Sequence, residues 1–345
     1  MIYFLSGLIS YLLAFTLYPI AQKLGFKWQI LDKPTARKTH QKPTPRTGGI
    51  VFFVVFWALA FALALLKHKS LIAIQTLDFF NLNLLGKIFL PCSIIFILGL
   101  IDDKKGLSPY IRFIGQVFAA FLIVIFGLRI EVINIPGFGM LSFSYFPSLI
   151  ITIFWVVLLI NILNWLDGLN GLASGVGIIA FLAIIYTAFL PWVQAFSAAL
   201  MGCLMVGILL AFLPFNFFKG SIFMGDAGSN FLGLMIALSS ILGGSKLATS
   251  FLVLGLPILD GLWVISQRIK NHRNIFLADK SHFHHRLLRL GLNQRQAVIS
   301  FWLISLTFGL LVLSASTQVK FFGLIILSAI CLIFFTLLDI IERRK

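Results

Sequence analysis

The feature that most constrains this chain is a succession of apolar stretches, each long enough to cross a bilayer, separated by short polar loops. A spanning helix needs roughly 20 mostly apolar residues. At that length the sequence predicts eleven helices, near 1–22, 49–66, 84–101, 112–128, 147–164, 171–190, 193–213, 228–243, 247–266, 298–316 and 321–341. Some hairpins between them are very short, which leaves ten as the alternative count. Composition agrees: 60% of the 345 residues are hydrophobic and only 11% are charged, where soluble domains carry about 25% charged residues. With a mean hydropathy of +1.03, the chain could not cover a globular surface. The expected fold class is therefore all-α, a polytopic integral membrane protein forming a single domain over residues 1–345. No internal repeat, low-complexity tract or separate soluble unit interrupts it.

The amino-terminal run reaches nearly to Lys23, with no basic region before it and no small-residue cleavage site. It reads as a span and not as a cleaved leader. Cys92, Cys203 and Cys331 lie inside apolar runs and read as small hydrophobes, with no disulfide or metal spacing. Residues 129–144, which alternate apolar positions about Pro136 and Gly137, predict a small hairpin.

There are 27 Lys and Arg against 11 Asp and Glu. In a soluble protein that excess would suggest nucleic acid. Here it reports topology and anionic membrane lipids, so no nucleic-acid partner is expected. With the amino terminus outside, 21 of the basic residues fall on the cytoplasmic side and 6 on the other. Seven acids, Asp32, Asp102, Asp103, Asp167, Asp226, Asp260 and Asp279, then lie in or beside cytoplasmic loops, with His40, His272, His282, His284 and His285. Carboxylates gathered at the inner ends of apolar helices indicate one site at that surface.

Five blocks carry the chemistry. The first loop, DKPTARKTHQKPTPRTGG, has cations suited to a phosphate-rich ligand and equally to lipid headgroups. In GLIDDKKGLSP, the paired Asp102 and Asp103 end an apolar helix, a costly arrangement unless they bind a cation or titrate. The hard-oxygen choice is Mg²⁺ held by one or two carboxylates plus substrate phosphates. In NILNWLDGLNGLASG, Asn161, Asn164 and Asp167 share one helix face, and Gly168 and Gly171 permit a tight turn. In FMGDAGSNFLG, Asp226 sits between glycines at a helix start, a position that attracts phosphate and offers a metal ligand. The last block, DKSHFHHRLLRLG, brings histidines beside Lys280, Arg286 and Arg289. Without nearby cysteines and with His284 next to His285, it suits polyphosphate better than zinc. Asp260, in LPILDGLWVISQR, either supports this site or pairs with a cation.

These five blocks, in this order, resemble the polyprenyl-phosphate N-acetylhexosamine-1-phosphate transferases, particularly the bacterial WecA/TagO-like branch, over nearly the whole chain. The resemblance implies an enzyme of the bacterial inner membrane with a cytoplasmic active site. Its partners would be undecaprenyl phosphate, a UDP-N-acetylhexosamine and membrane lipids, with a homodimer left open. The lipid phosphate attacks the β-phosphate of the UDP-sugar, UMP leaves, and the product starts a cell-envelope glycan. Mg²⁺ is the implied cofactor, with Mn²⁺ an alternative. Carried over by residue, Asp226 is a direct metal ligand and Asp102 contributes to the metal site. Asp102, Asp103 and Asp167 are catalytic. Asn164, His282, His284 and His285 bind substrate, as does Lys38 or Lys42. The branch commonly reads DGxDGLA where this chain has DGLNGLA, so Asn170 enters only as a binding residue. GlcNAc is the default sugar. The alternatives are the phospho-N-acetylmuramoyl-pentapeptide transferase, which PTPRTGG and HFHH disfavour, and a transporter, which would place its acids near the bilayer midplane. One-step and covalent two-step routes both remain open.

Overall fold

Where water is absent, an apolar run can satisfy its backbone hydrogen bonds locally only as a helix. The computed structural model, which describes residues 1–33, 42–68, 81–135, 139–243, 247–272, 282–313 and 317–344, follows that rule. Its first half runs α1 (Ile2–Lys27), β1 (Leu31–Asp32), β2 (Thr44–Pro45), α2 (Gly48–His68), α3 (Leu82–Lys105) and α4 (Pro109–Ile125). The hairpin β3 (Val132–Ile135) and β4 (Gly139–Ser142) comes next, then α5 (Tyr145–Leu166), α6 (Leu172–Ala188), α7 (Phe196–Leu213) and α8 (Gly225–Leu242). The chain continues through α9 (Leu247–Val253), α10 (Gly255–Lys270), α11 (Phe283–Arg289), α12 (Gln294–Leu310) and α13 (Thr317–Arg344).

Every expected apolar segment coincides with helix. Six helices among the described residues, α1, α2, α3, α5, α7 and α8, are long and apolar enough to cross a membrane. The chain is a multi-pass membrane protein. The hairpin also forms as expected, pairing Val132 with Ser142 in antiparallel register. Two details differ. The ninth segment, expected as one helix over 247–266, breaks at Leu254 into α9 and α10. Pro257 accounts for the break, because its ring lacks an N–H and collides with the carbonyl four residues earlier. The expected loop 266–297 also contains the short helix α11.

At the centre stands α8, almost wholly buried and packed against α2, α3, α5 and α7. A helix so enclosed can carry polar side chains if they find partners. Trp155 on α5 donates its indole N–H to Ser240 Oγ at 2.9 Å. Peripheral faces instead present large apolar side chains outward, among them Ile114 and Phe118 on α4 and Ile150 and Phe154 on α5. Such a surface suits lipid and not water.

Between apolar helices in lipid, close approach of backbones replaces the hydrophobic drive. A Cβ at Gly99 on α3 would lie 2.4 Å from Ala227 Cα, and one at Gly49 on α2 only 2.2 Å from Gly228 N. These two glycines let α2 and α3 touch the start of α8. Gly99→Ala is expected to destabilise the protein by about 1–3 kcal/mol, read as a lowered melting midpoint in detergent. Gly86→Ala, on the same helix with nothing within 4 Å, should be neutral or slightly stabilising. Equal effects at the two positions would refute the close-packing account.

The first loop is locked to the same place. Phe223 N–H donates to Pro45 O at 2.7 Å, and Gly48 and Gly49 N–H donate to Phe223 O and Met224 O, each at 2.9 Å. Thr47 Oγ1 donates to Ala21 O at 2.7 Å. Residues 45–49 are thereby held against the turn that begins α8.

Candidate active site

The end of α3 supplies two buried carboxylates with different duties. Asp103 accepts from the backbone N–H of Asp226 at 2.9 Å with one oxygen and of Ala227 at 3.0 Å with the other. The positive end of α8, expected to draw a substrate phosphate, is thus capped by an aspartate of this chain. Asp102 points elsewhere. One of its oxygens accepts from Leu107 N–H at 2.6 Å and the other from Arg112 at 3.0 Å. It closes the turn from α3 into α4.

Asp226 lies in the first turn of α8 beside the end of α5. Asn164 donates to its Oδ1 at 2.5 Å and to Ser229 Oγ at 3.1 Å. Among the described residues nothing donates to the other Asp226 oxygen. Asp167, one helical turn beyond Asn164, caps α5 and accepts no hydrogen bond from any described residue. Part of its surface stays open, yet the surrounding protein removes enough water to push its carboxyl well above the usual aspartate range. The neighbouring charge of Asp226 pushes the same way. A carboxylate that is crowded and unbonded has no structural reason to be there.

The turn after Asp167 is set by a distant segment. Following α7, Pro214–Phe218 adopts a π-helical turn, which often marks a functional position. There the buried Asn216 accepts from Gly171 N–H at 2.6 Å and donates to Ile222 O at 2.9 Å. Gly171 meets this with a φ of +87°, the left-handed region glycine tolerates. Asn170 is half-buried, its Nδ2 close to Gly220.

Arg46 links the two sides. Its guanidinium pairs with Asp32 at 2.7 Å and lies 3.7 Å from Asp103, and Asp226 and Asp167 also stand within its field. One arginine therefore offsets four acids drawn from separate segments. Sequence reasoning missed it as a site residue, although it lies inside the PTPRTGG block, because a cation in a positive-inside loop looks like topology alone. Of the two lysines considered there, Lys38 lies outside the described residues, and Lys42 is exposed.

The histidine block docks on the other flank of α5. Asp260 of α10 accepts from Phe283 N–H at 2.7 Å and lies 2.9 Å from His282 Nδ1. This answers the question the sequence left open: Asp260 supports the histidines. The His282 ring lies 5.9 Å from Trp165 and 5.8 Å from the parallel His284 ring, and His285 follows 4.3 Å from His284. His284 is buried, and neither ring nitrogen has a hydrogen-bond partner among the described residues. Burial, then His285 and His282, push it well below the usual histidine range, so it is neutral near pH 7. Its Nε2 sits over Gly168, where a Cβ would come within 2.6 Å. An orphaned buried imidazole costs about 1–3 kcal/mol and points to a ligand. Arg286 does not join this group. It is buried and pairs with Asp339, tying α11 to α13, so the expected polyphosphate contact is corrected to a structural one. Lys280 and Asp279 lie outside the described residues.

The end of α5 is thus where acids and histidines gather: Asn164 bonds Asp226, Asp167 feels the charge of Asp226, and His284 sits over Gly168. Among the described residues no three acidic, histidine or cysteine side chains could cage a metal ion alone. What the site offers is one or two carboxylates with unused oxygens. That fits Mg²⁺, which leaves most of its coordination to water and substrate phosphates.

Comparison with known proteins adds a second line of observation. Residues 84–244 match the family described as Glycosyl transferase family 4. Over 322 residues the chain is 34% identical to a probable undecaprenyl-phosphate N-acetylglucosaminyl 1-phosphate transferase of Bacillus subtilis (strain 168), covering 90% of this chain and 84% of that protein. It is 30% identical to a decaprenyl-phosphate N-acetylglucosaminephosphotransferase of Mycobacterium leprae (strain TN), covering 99% and 91%. It is 27% identical to an undecaprenyl-phosphate alpha-N-acetylglucosaminyl 1-phosphate transferase of Escherichia coli (strain K12), covering 85% and 79%.

Proposed function

We propose that this chain, which belongs to glycosyl transferase family 4, transfers N-acetylglucosamine-1-phosphate from UDP-N-acetylglucosamine to undecaprenyl phosphate and releases UMP. The observation that carries the reading is that the end of α5 bears Asp167, binds Asp226 through Asn164 and lies under His284 at Gly168, in a chain so similar to transferases of this specificity. The activities for which those relatives are named favour it over the muramoyl-pentapeptide transferase and over a transporter. Its membrane would be the bacterial inner membrane, with the site on the cytoplasmic side, where most basic residues fall.

In the proposed reaction an oxygen of the lipid phosphate bonds to the β-phosphorus of the donor. The bond from that phosphorus to the bridging oxygen breaks, and the oxygen leaves with UMP. The sugar C1–O bond is untouched, so anomeric configuration is retained. A phosphate monoester has a second pKa near 6, so the acceptor is largely a dianion already and needs no strong base. Catalysis then rests on positioning and on neutralising charge. Asp226 and Asp167 would hold Mg²⁺, which supplies charge neutralisation for the diphosphate. Asn164 fixes the Asp226 carboxylate, and Asp103 fixes its backbone. His284, neutral and unbonded, can donate one N–H to a donor phosphate oxygen.

The test is UMP release by purified protein given undecaprenyl phosphate, Mg²⁺ and a panel of UDP-sugars. Release that requires both lipid and metal, and is greatest with UDP-N-acetylglucosamine, is expected. Release without the lipid, or none from this donor by folded protein, would overturn the assignment.

A further inference from the structure

Away from the acids, α3 presents a second surface with its own chemistry. At the helix's carboxyl-terminal end a cavity of about 300 Å³ opens between the ends of α1, α2 and α3. Its wall is Trp28, Ile30, Ile50, Ile97, Leu100 and Ile101, and Lys104 and Lys105 complete it. Ile97, Ile101, Lys104 and Lys105 recur at intervals of three and four, so they form one stripe along α3. That stripe turns from apolar to cationic where the helix ends. Trp28, half-exposed at the end of α1, marks the same level, as aromatic side chains do at headgroup depth.

We infer that this trough is a binding site for one anionic phospholipid, with a stretch of one acyl chain along Ile97 and Ile101 and the phosphate on Lys104 and Lys105. Ile97 and Ile101 are 53% and 41% exposed, and an apolar chain is the cover a bilayer supplies. Both lysines are exposed as well, and their charge selects an anionic headgroup over a zwitterionic one. The volume is at the lower end for ligand pockets, which suits part of one chain. The occupant is not the reacting lipid. Asp102 and Asp103 project from the opposite face of α3, towards Arg112 and the start of α8, so the helix itself separates the trough from the acids. The inference stands independently of the proposed transfer.

Native mass spectrometry of the full-length protein in detergent tests it, with phosphatidylglycerol, phosphatidylcholine and undecaprenyl phosphate supplied in turn. One phosphatidylglycerol should be retained about tenfold more tightly than phosphatidylcholine. Lys104→Gln/Lys105→Gln should abolish that preference, whereas Lys270→Gln, which removes an exposed cation on α10, should not. Ile97→Trp, which fills the trough without changing charge, should abolish the retained lipid. Melting midpoints near that of the wild type would show all three variants folded. Equal retention of the two phospholipids would overturn the proposal, as would an unchanged preference in the double lysine variant. Displacement of the retained phosphatidylglycerol by undecaprenyl phosphate, with Ile97→Trp blocking both, would make the trough an acceptor site and also overturn it.

Discussion

Asp226→Asn is expected to lower turnover by about three orders of magnitude or more, with expression, membrane insertion and melting midpoint preserved. The fold should tolerate the change because only one Asp226 oxygen is used structurally, accepting from Asn164 at 2.5 Å. An asparagine carbonyl can take that place. What disappears is the negative charge and the unbonded oxygen, which are what a divalent cation would use. The same variant should bind Mn²⁺ much more weakly than wild type by electron paramagnetic resonance, a readout that does not depend on turnover. Near-normal turnover, or unchanged Mn²⁺ binding, would remove Asp226 from the metal site.

Most of the fold was legible because apolar runs bounded by loops admit one solution in lipid. The break at Leu254 was missed although Pro257 lies in the segment, because a hydropathy window averages over a single proline. The acids were harder. Rarity and placement picked out Asp102, Asp103, Asp167 and Asp226, but residue type alone could not divide their labour. Asp103 is bonded through both oxygens to the start of α8, and Asp102 to Leu107 and Arg112, whereas Asp167 accepts from no described residue. The assignment of Asp103 depends on contacts across more than a hundred residues of chain, and that of Asp102 on the geometry of the turn from α3 into α4; residue type encodes neither. The link from Asp260 to His282 spans 22 residues and joins α10 to the start of α11. Arg46 was hidden for another reason. In a chain with 27 basic residues, the one that faces four acids cannot be told from those that face lipid.

Asp167→Asn is expected to abolish nearly all activity while making the protein more stable. Loss of a carboxylate from a phosphate-handling site should lower turnover by about two to three orders of magnitude, and the stability gain follows from its surroundings. Its carboxyl is pushed up first by enclosure and then by Asp226, with Asp32 adding to the repulsion and only Arg46 opposing it. An aspartate with a raised folded-state pKa binds its proton more readily in the folded protein than in the unfolded chain, so ionisation opposes folding. That cost grows as pH rises above the ordinary aspartate value, so near neutral pH it opposes folding. As pH falls through the raised folded value towards the ordinary value near 4, protonation relieves it. At pH 7 the variant should therefore melt roughly 2–4 °C above wild type, and the gap should close as the pH is lowered towards 4. The two proteins differ only at position 167, so the difference between the two melting curves reports the loss of that carboxylate and of its repulsion with Asp226. A variant that melts below wild type at pH 7, or a gap that widens in acid, would mean that the fold needs this carboxylate. A gap that closes in acid, together with the lost turnover, would identify a charge kept at the end of α5 against the stability of the fold, as expected of a group retained for the reaction.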